Sequence, residues 1–95
     1  MQPMRLIQVG MGGWGRSWAK VLAQNTQLAQ VVACVDLQPE MLLQAQQDVG
    51  IDAALCYTSL EAALTETGAT ADAVLVTTPI GAHAPVALEA LGADK

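Results

Sequence analysis

The segment VGMGGWGRSWAK, residues 9–20, contains glycines at the spacing G-x-G-x-x-G. An apolar run precedes the glycines and a segment of helical periodicity follows them, which is the context of a dinucleotide-binding loop. There the first glycine forms a tight turn, the second lets a pyrophosphate approach, and the third lets the helix pack closely. Free N–H groups at the helix start favour a diphosphate. The predicted loop residues are Gly10, Gly12, Gly13, Trp14 and Gly15; the alternative is a tight strand–helix turn without a ligand.

Asp36 ends the apolar segment VVACV, 21 residues after Gly15. An acidic residue at about that distance binds the adenosine ribose hydroxyls in dinucleotide-binding domains. The negative charge would repel the 2′-phosphate of NADP. The next residues, Leu37 and Gln38, offer that phosphate no arginine. We therefore predict NAD as the cofactor, with NADP disfavoured; the other role open to Asp36 is a solvated helix N-cap.

Four apolar runs alternate with four segments of helical period. The runs cover residues 5–9, 30–35, 53–57 and 72–78. The second and fourth are rich in valine and almost continuously apolar, which is typical of parallel strands covered by helices on both sides. The order βαβαβαβα predicts a Rossmann-type doubly wound parallel sheet with strand order 3-2-1-4, in three α/β/α layers.

Helix faces and boundaries can also be predicted. Trp14, Trp18, Val21 and Leu22 follow a helical spacing, so we expect them to pack on the sheet rather than to stack on a ligand. The boundary signals are Pro39 in a first turn, a Thr58–Glu61 capping box, Pro85 in the first turn of the last helix, and stops at Gly50, Gly68 and Gly92.

Composition excludes several classes of protein. The net charge is −5, and the four basic residues, Arg5, Arg16, Lys20 and Lys95, form no patch of the kind that binds nucleic acid. No run approaches the ~20 apolar residues that span a membrane.

Two cysteines, Cys34 and Cys56, predict buried thiols rather than a disulfide framework or a metal site. Without a recognisable signal peptide, the expected location is the cytoplasm. Arg16 and Lys20 are expected to be solvated, and the alternative for Arg16 is contact with a phosphate.

Two segments, IQVGMGGWGRSWA and DAVLVTTPIGAHAPVALEAL, resemble the N-terminal half of the glucose–fructose oxidoreductase / inositol dehydrogenase (Gfo/Idh/MocA) family. The second segment is the more specific, because the family places Thr-Pro after the fourth strand and a histidine four residues beyond the proline. These residues are Thr78, Pro79 and His83. The resemblance implies that they line the nicotinamide ribose side of the cleft. Considered without the family, His83 is a helix-start residue bonded to nearby backbone.

The chain departs from the family pattern at two places. Ile80 stands where many members have asparagine, and the Glu-Lys-Pro motif that carries the family's proton-transfer lysine does not occur. Lys95 is not at that position, so we assign no catalytic residue. We expect residues 1–95 to form an incomplete dinucleotide-binding domain, with the substrate-binding domain absent from this chain.

The resemblance implies an oxidoreductase that transfers hydride between a nicotinamide cofactor and a sugar- or polyol-type substrate, which only the full-length protein would bind. The alternative is a stand-alone nucleotide-binding or sensor module without turnover. FAD and S-adenosylmethionine are other Rossmann ligands, and the Thr-Pro-x-x-x-His segment counts against both. Self-association through the outer edge of the fourth strand is also expected.

Overall fold

A computed structural model describes residues 3–67 and 70–77 of the chain. Strands and helices alternate along these residues, with a 3₁₀ turn, Ala53–Leu55, before the third strand. The strands are β1 (Met4–Val9), β2 (Ala29–Val35), β3 (Cys56–Tyr57) and β4 (Ala73–Val76). The helices are α1 (Gly13–Ala23), α2 (Pro39–Val49) and α3 (Leu60–Thr67).

The strands of the described residues form one parallel sheet in the order β3-β2-β1-β4, which confirms the predicted topology. Strand β1 lies between β2 and β4, and Val9 at its end is in register with Val76. The N–H of Thr77 donates to the Val9 carbonyl at 2.8 Å. The chain segments that leave β1 and β4 therefore start side by side. They lie at the carboxyl ends of the strands, where Rossmann folds bind ligands.

Helices cover both faces of the sheet, as the three-layer prediction requires. On one side, which we call the α3 face, a buried apolar cluster joins β1, β2 and α3 through Ile7, Val9, Ala33, Val35, Leu60, Ala63 and Ala71. On the other side, the α1–α2 face, a second cluster comprises Met11, Ala19, Cys34, Leu42 and Ala45. Alternation along β1 sends Gln8 to the α1–α2 face, where it bonds to α1.

Two local predictions in the third β–α unit are wrong. The strand predicted over residues 53–57 is reduced to Cys56–Tyr57, because Asp52 Oδ1 accepts a hydrogen bond from Ala54 N at 2.9 Å and caps a 3₁₀ turn. Helix α3 is capped by Ser59, whose Oγ accepts from Ala62 N at 3.1 Å, rather than by Thr58. Both errors reflect short polar side chains that bind nearby backbone N–H groups, so the boundaries shift by one or a few residues.

The predicted packing face of α1 is also wrong. Trp14 and Trp18 are 59% and 42% exposed, and Val21 is 50% exposed. The buried residues of this helix are Gly15 and Ala19. A Cβ on Gly15 would overlap the Gly10 carbonyl oxygen, so α1 meets the end of β1 through a residue with no side chain, and the tryptophans lie on the exposed side of the helix.

The boundary signals of α2 are confirmed. Pro39 is its first residue, and Gly50 ends it with a positive φ of 81°, a left-handed conformation that favours glycine. The predicted fourth helix and the stops at Gly68 and Gly92 lie outside the described residues. Strand β4 ends the described sheet, so pairing through its outer edge stays a prediction. Within the described part of the chain, no helix is long and apolar enough to cross a membrane.

Candidate functional site

The glycine loop, residues 10–15, connects β1 to α1. Gly10 leaves the strand with a φ of 99°, which side chains rarely tolerate. A Cβ on Gly15 would overlap the Gly10 carbonyl oxygen and would lie 2.8 Å from the Gly10 carbonyl carbon. By contrast, a Cβ on Gly12 or Gly13 would meet no atom within 4 Å. The loop is therefore closed beneath Gly15 and open above Gly12 and Gly13.

The start of α1 presents unpaired backbone N–H groups to this loop. The first helical hydrogen bond runs from Arg16 N to Gly12 O at 2.8 Å, so the N–H groups of Gly13, Trp14 and Gly15 make no helical hydrogen bond. No described side chain caps this terminus, and its first turn carries no acidic residue. The terminus thus has a partial positive charge and donors suited to an anion.

Asp36 lies directly beside the loop. Its Oδ2 accepts a hydrogen bond from Met11 N at 2.9 Å, and its Oδ1 accepts from Gln38 N at the same distance. The N-cap of α2 is Gln38, so Asp36 forms a turn ahead of the helix rather than capping it. Each carboxylate oxygen can accept more than one hydrogen bond. The half-buried carboxylate therefore retains capacity to accept from hydroxyl groups.

Arg16 is paired, contrary to the expectation that it is solvated. Its Nη1 donates to Met11 O at 3.0 Å, and its Nε lies 3.2 Å from Oδ2 of Asp48 on α2. Met11 is consequently held on both sides, by Asp36 at its N–H and by Arg16 at its carbonyl. Lys20, one turn farther along α1, is exposed as expected.

A buried polar network lies beneath the loop, and sequence reasoning missed it. Gln8 Nε2 donates to Gly15 O at 2.7 Å and to Thr77 Oγ1 at 3.2 Å. Thr77 Oγ1 in turn donates to Gly10 O at 2.7 Å. The network joins β1, the residue after β4 and the first turn of α1. Its signal in the sequence was one glutamine in the apolar run RLIQV.

The structure brings together six of the nine predicted site residues: Gly10, Gly12, Gly13, Trp14, Gly15 and Asp36. The side chain of Trp14 is exposed. The backbone N–H of Trp14 is one of the unpaired donors at the start of α1. The other three, Thr78, Pro79 and His83, lie outside the described residues. Across residues 3–67 and 70–77, no group of three His, Cys, Asp or Glu could hold a metal ion.

The donors and acceptors around the loop fit a dinucleotide. Open space above Gly12 and Gly13 adjoins the unpaired N–H groups of α1, which suits a pyrophosphate. The Asp36 carboxylate, bound to the same loop through Met11, suits ribose hydroxyls. Such a loop at the carboxyl end of a central parallel strand, in a sheet ordered 3-2-1-4, defines a Rossmann domain that binds a dinucleotide.

Residues 4–95 match the oxidoreductase family GFO_IDH_MocA, which has an NAD-binding Rossmann fold. The chain belongs to this family, as the resemblance in the sequence predicted. Among functionally curated proteins, no sequence matches the chain significantly.

Solved structures of dehydrogenases share the fold. GenD2 from gentamicin A biosynthesis, in complex with NAD, is 25% identical with a TM-score of 0.79 over 98% of this chain. The WlbA dehydrogenase from Bordetella pertussis, in complex with NADH and UDP-GlcNAcA, is 29% identical with a TM-score of 0.79 over 99% of this chain. The WlbA enzyme from Chromobacterium violaceum is 26% identical with a TM-score of 0.74 over 98% of this chain. The matches cover 25%, 27% and 26% of those chains, respectively, so this chain spans about a quarter of their length.

Proposed function

We propose that this chain is the cofactor-binding part of an NAD-dependent oxidoreductase that acts on a sugar- or polyol-type substrate. The observation that carries the proposal is the juxtaposition of two complementary groups on one open loop. Unpaired N–H groups at the start of α1 flank the space above Gly12, and the Asp36 carboxylate is bonded to Met11 of the same loop.

Each part of the loop has a role in this proposal. The N–H groups of Gly13, Trp14 and Gly15 hold the pyrophosphate, and Gly12 leaves room for it. Asp36 accepts hydrogen bonds from the adenosine ribose, and its charge disfavours the 2′-phosphate of NADP. The network of Gln8 and Thr77 fixes the loop from below.

The nicotinamide supplies the hydride chemistry when the cofactor is bound. On the support of the family resemblance, we propose that Thr78, Pro79 and His83 line the nicotinamide ribose side of the cleft. We assign no catalytic residue within residues 1–95, which we propose form an incomplete domain of a longer protein. The substrate-binding domain then lies outside these residues. Support for this proposal comes from the solved neighbours, because this chain spans only about a quarter of their length.

The substrate class is proposed from the same neighbours. One was solved with UDP-GlcNAcA, and another comes from gentamicin A biosynthesis. We propose the cytoplasm as the location, since Cys34 is a buried free thiol and Cys56 is also free. The alternative function is a nucleotide-binding or sensor module without turnover. It would replace this proposal if the full-length protein bound NAD without oxidising any sugar or polyol.

The test is calorimetric titration of NAD into the unaltered chain and two variants. Gly12→Val introduces a branched side chain into the open space above the loop, where a Cβ meets no protein atom, so the fold should survive. Ala23→Val makes a similar addition at the exposed last residue of α1 and is the control. We expect Gly12→Val to abolish NAD binding and Ala23→Val to leave it unchanged. Undiminished binding by a folded Gly12→Val variant would refute the proposed site.

A further inference from the structure

Among residues 3–67 and 70–77, Arg16 is the cation that contacts the glycine loop. The described residues contain two other cations, Arg5 and Lys20, and neither is near Met11. Arg5 pairs with Asp72 beside the opposite, amino end of β1, and Lys20 lies exposed one turn farther along α1. A phosphate bound beside the loop would therefore find its nearest described guanidinium at Arg16.

Arg16 and Asp36 bind two atoms of the same residue. Asp36 Oδ2 is 2.9 Å from Met11 N, and Arg16 Nη1 is 3.0 Å from Met11 O. The guanidinium and the carboxylate that we propose for the ribose are therefore bound to the same residue of the loop. The 2′-phosphate of NADP would occupy this neighbourhood, and guanidinium groups bind phosphates with paired, charge-assisted hydrogen bonds.

Asp48 is the carboxylate partner of Arg16. Its Oδ2 lies 3.2 Å from Arg16 Nε, and the Arg16 side chain is only 21% exposed in this pair. Arg16 Nη1 also lies 3.8 Å from Met41 Sδ, so the guanidinium contacts α2 at Met41 as well as at Asp48. Bound in this way, Arg16 has a carboxylate partner and a carbonyl partner before any cofactor arrives.

We propose that Asp48 is a specificity-determining residue, which acts through Arg16 to keep the site selective for NAD. This inference rests on the proposed function of the loop. While Asp48 neutralises and anchors Arg16, the dominant charge near the ribose is that of Asp36, which repels a 2′-phosphate. Removal of the Asp48 charge releases the guanidinium to turn toward that phosphate.

The experiment measures the dissociation constants of NAD and NADP for the full chain and its variants by calorimetry. In Asp48→Asn, we expect the ratio Kd(NADP)/Kd(NAD) to fall at least about threefold, the effect of a released ion pair. Asp48→Ala removes the whole carboxyl group, whereas Asp48→Asn replaces it with a neutral amide. It should change the ratio in the same direction. Glu61→Gln on α3 removes the same charge from an exposed position on the other face and should leave the ratio unchanged.

The double variant Arg16→Gln with Asp48→Asn separates the mechanism from a general charge effect. Because the guanidinium is then missing, the ratio should return toward that of the unaltered chain. An unchanged ratio in Asp48→Asn, or an equal fall in the double variant, would overturn the inference while NAD binding remained intact. Absence of NAD binding by the unaltered chain would instead refute the proposed function, and this inference with it.

Discussion

The two faces of the sheet are built differently. Among the described residues, the buried apolar cluster of the α3 face comprises seven residues, all aliphatic. The α1–α2 face also has an apolar cluster, but beneath the glycine loop it buries Gln8 and Thr77 and brings Gly15 against the Gly10 carbonyl. Apolar burial is non-directional, whereas hydrogen bonds and close backbone contacts fix orientation. We infer that the α3 face chiefly provides stability and that the loop side of the α1–α2 face chiefly positions the site.

The largest expected effect comes from the α3 face. Ile7 is fully buried there, so Ile7→Ala should lower the free energy of unfolding by about 2–5 kcal/mol. Urea denaturation measures this loss, and Leu43→Ala, at a residue 57% exposed on α2, is the control with a change within about 0.5 kcal/mol. NAD affinity of the folded Ile7→Ala protein should be nearly unchanged. A large loss of affinity would contradict the division between the two faces.

A smaller effect on stability, but a larger one on binding, is expected at Gly15. Gly15→Ala forces a methyl group into the Gly10 carbonyl, which should cost about 1–3 kcal/mol and displace the loop enough to weaken NAD binding markedly. Gly13→Ala is the matched control, because its methyl group enters open space at a helical position and should change stability by no more than about 1 kcal/mol. Equal stability of the two variants in urea would show that the contact between Gly15 and the Gly10 carbonyl does not require glycine at position 15.

The smallest effect at neutral pH concerns Cys34 of the α1–α2 face. Burial raises the pKa of its thiol to about 12 from an ordinary 9.0, and nearby Cys56 adds to the shift. Because the unfolded chain releases this proton first, the contribution of the thiol to stability is complete below pH 9 and is lost as the pH rises toward 12. The loss is about 1.4 kcal/mol per pH unit in that window. Urea denaturation from pH 8 to 10.5 should show this loss in the unaltered chain beyond that in Cys34→Ala; parallel curves would contradict it.

The topology could be predicted because it depends on patterns that extend over many residues. Valine-rich runs separated by helical segments gave the strand order, and the glycine spacing located the loop next to Asp36. Pro39 and Gly50 have backbone preferences strong enough to mark the ends of α2. These signals do not depend on which side chains meet in space.

Predictions that depended on particular contacts were less accurate. Helical spacing predicted that the large apolar residues Trp14 and Trp18 form the packing face of α1. The buried residues of this helix are instead the small residues Gly15 and Ala19. The ion pair of Arg16 with Asp48 joins residues 32 positions apart in sequence, and no local pattern announces it. Gln8 is buried in a strand because its partners come from α1 and from beyond β4.

The most direct test of the account is to map NAD binding on the backbone amides of the isotopically labelled chain by NMR titration. We predict that the largest shifts occur at Met11 to Gly15 and at Asp36, and that the amides of α3, Leu60–Thr67, scarcely change. Saturation of the loop shifts along a single binding curve would support one dinucleotide site on the open loop. Absence of shifts at saturating NAD, or shifts concentrated on α3, would contradict the central claim.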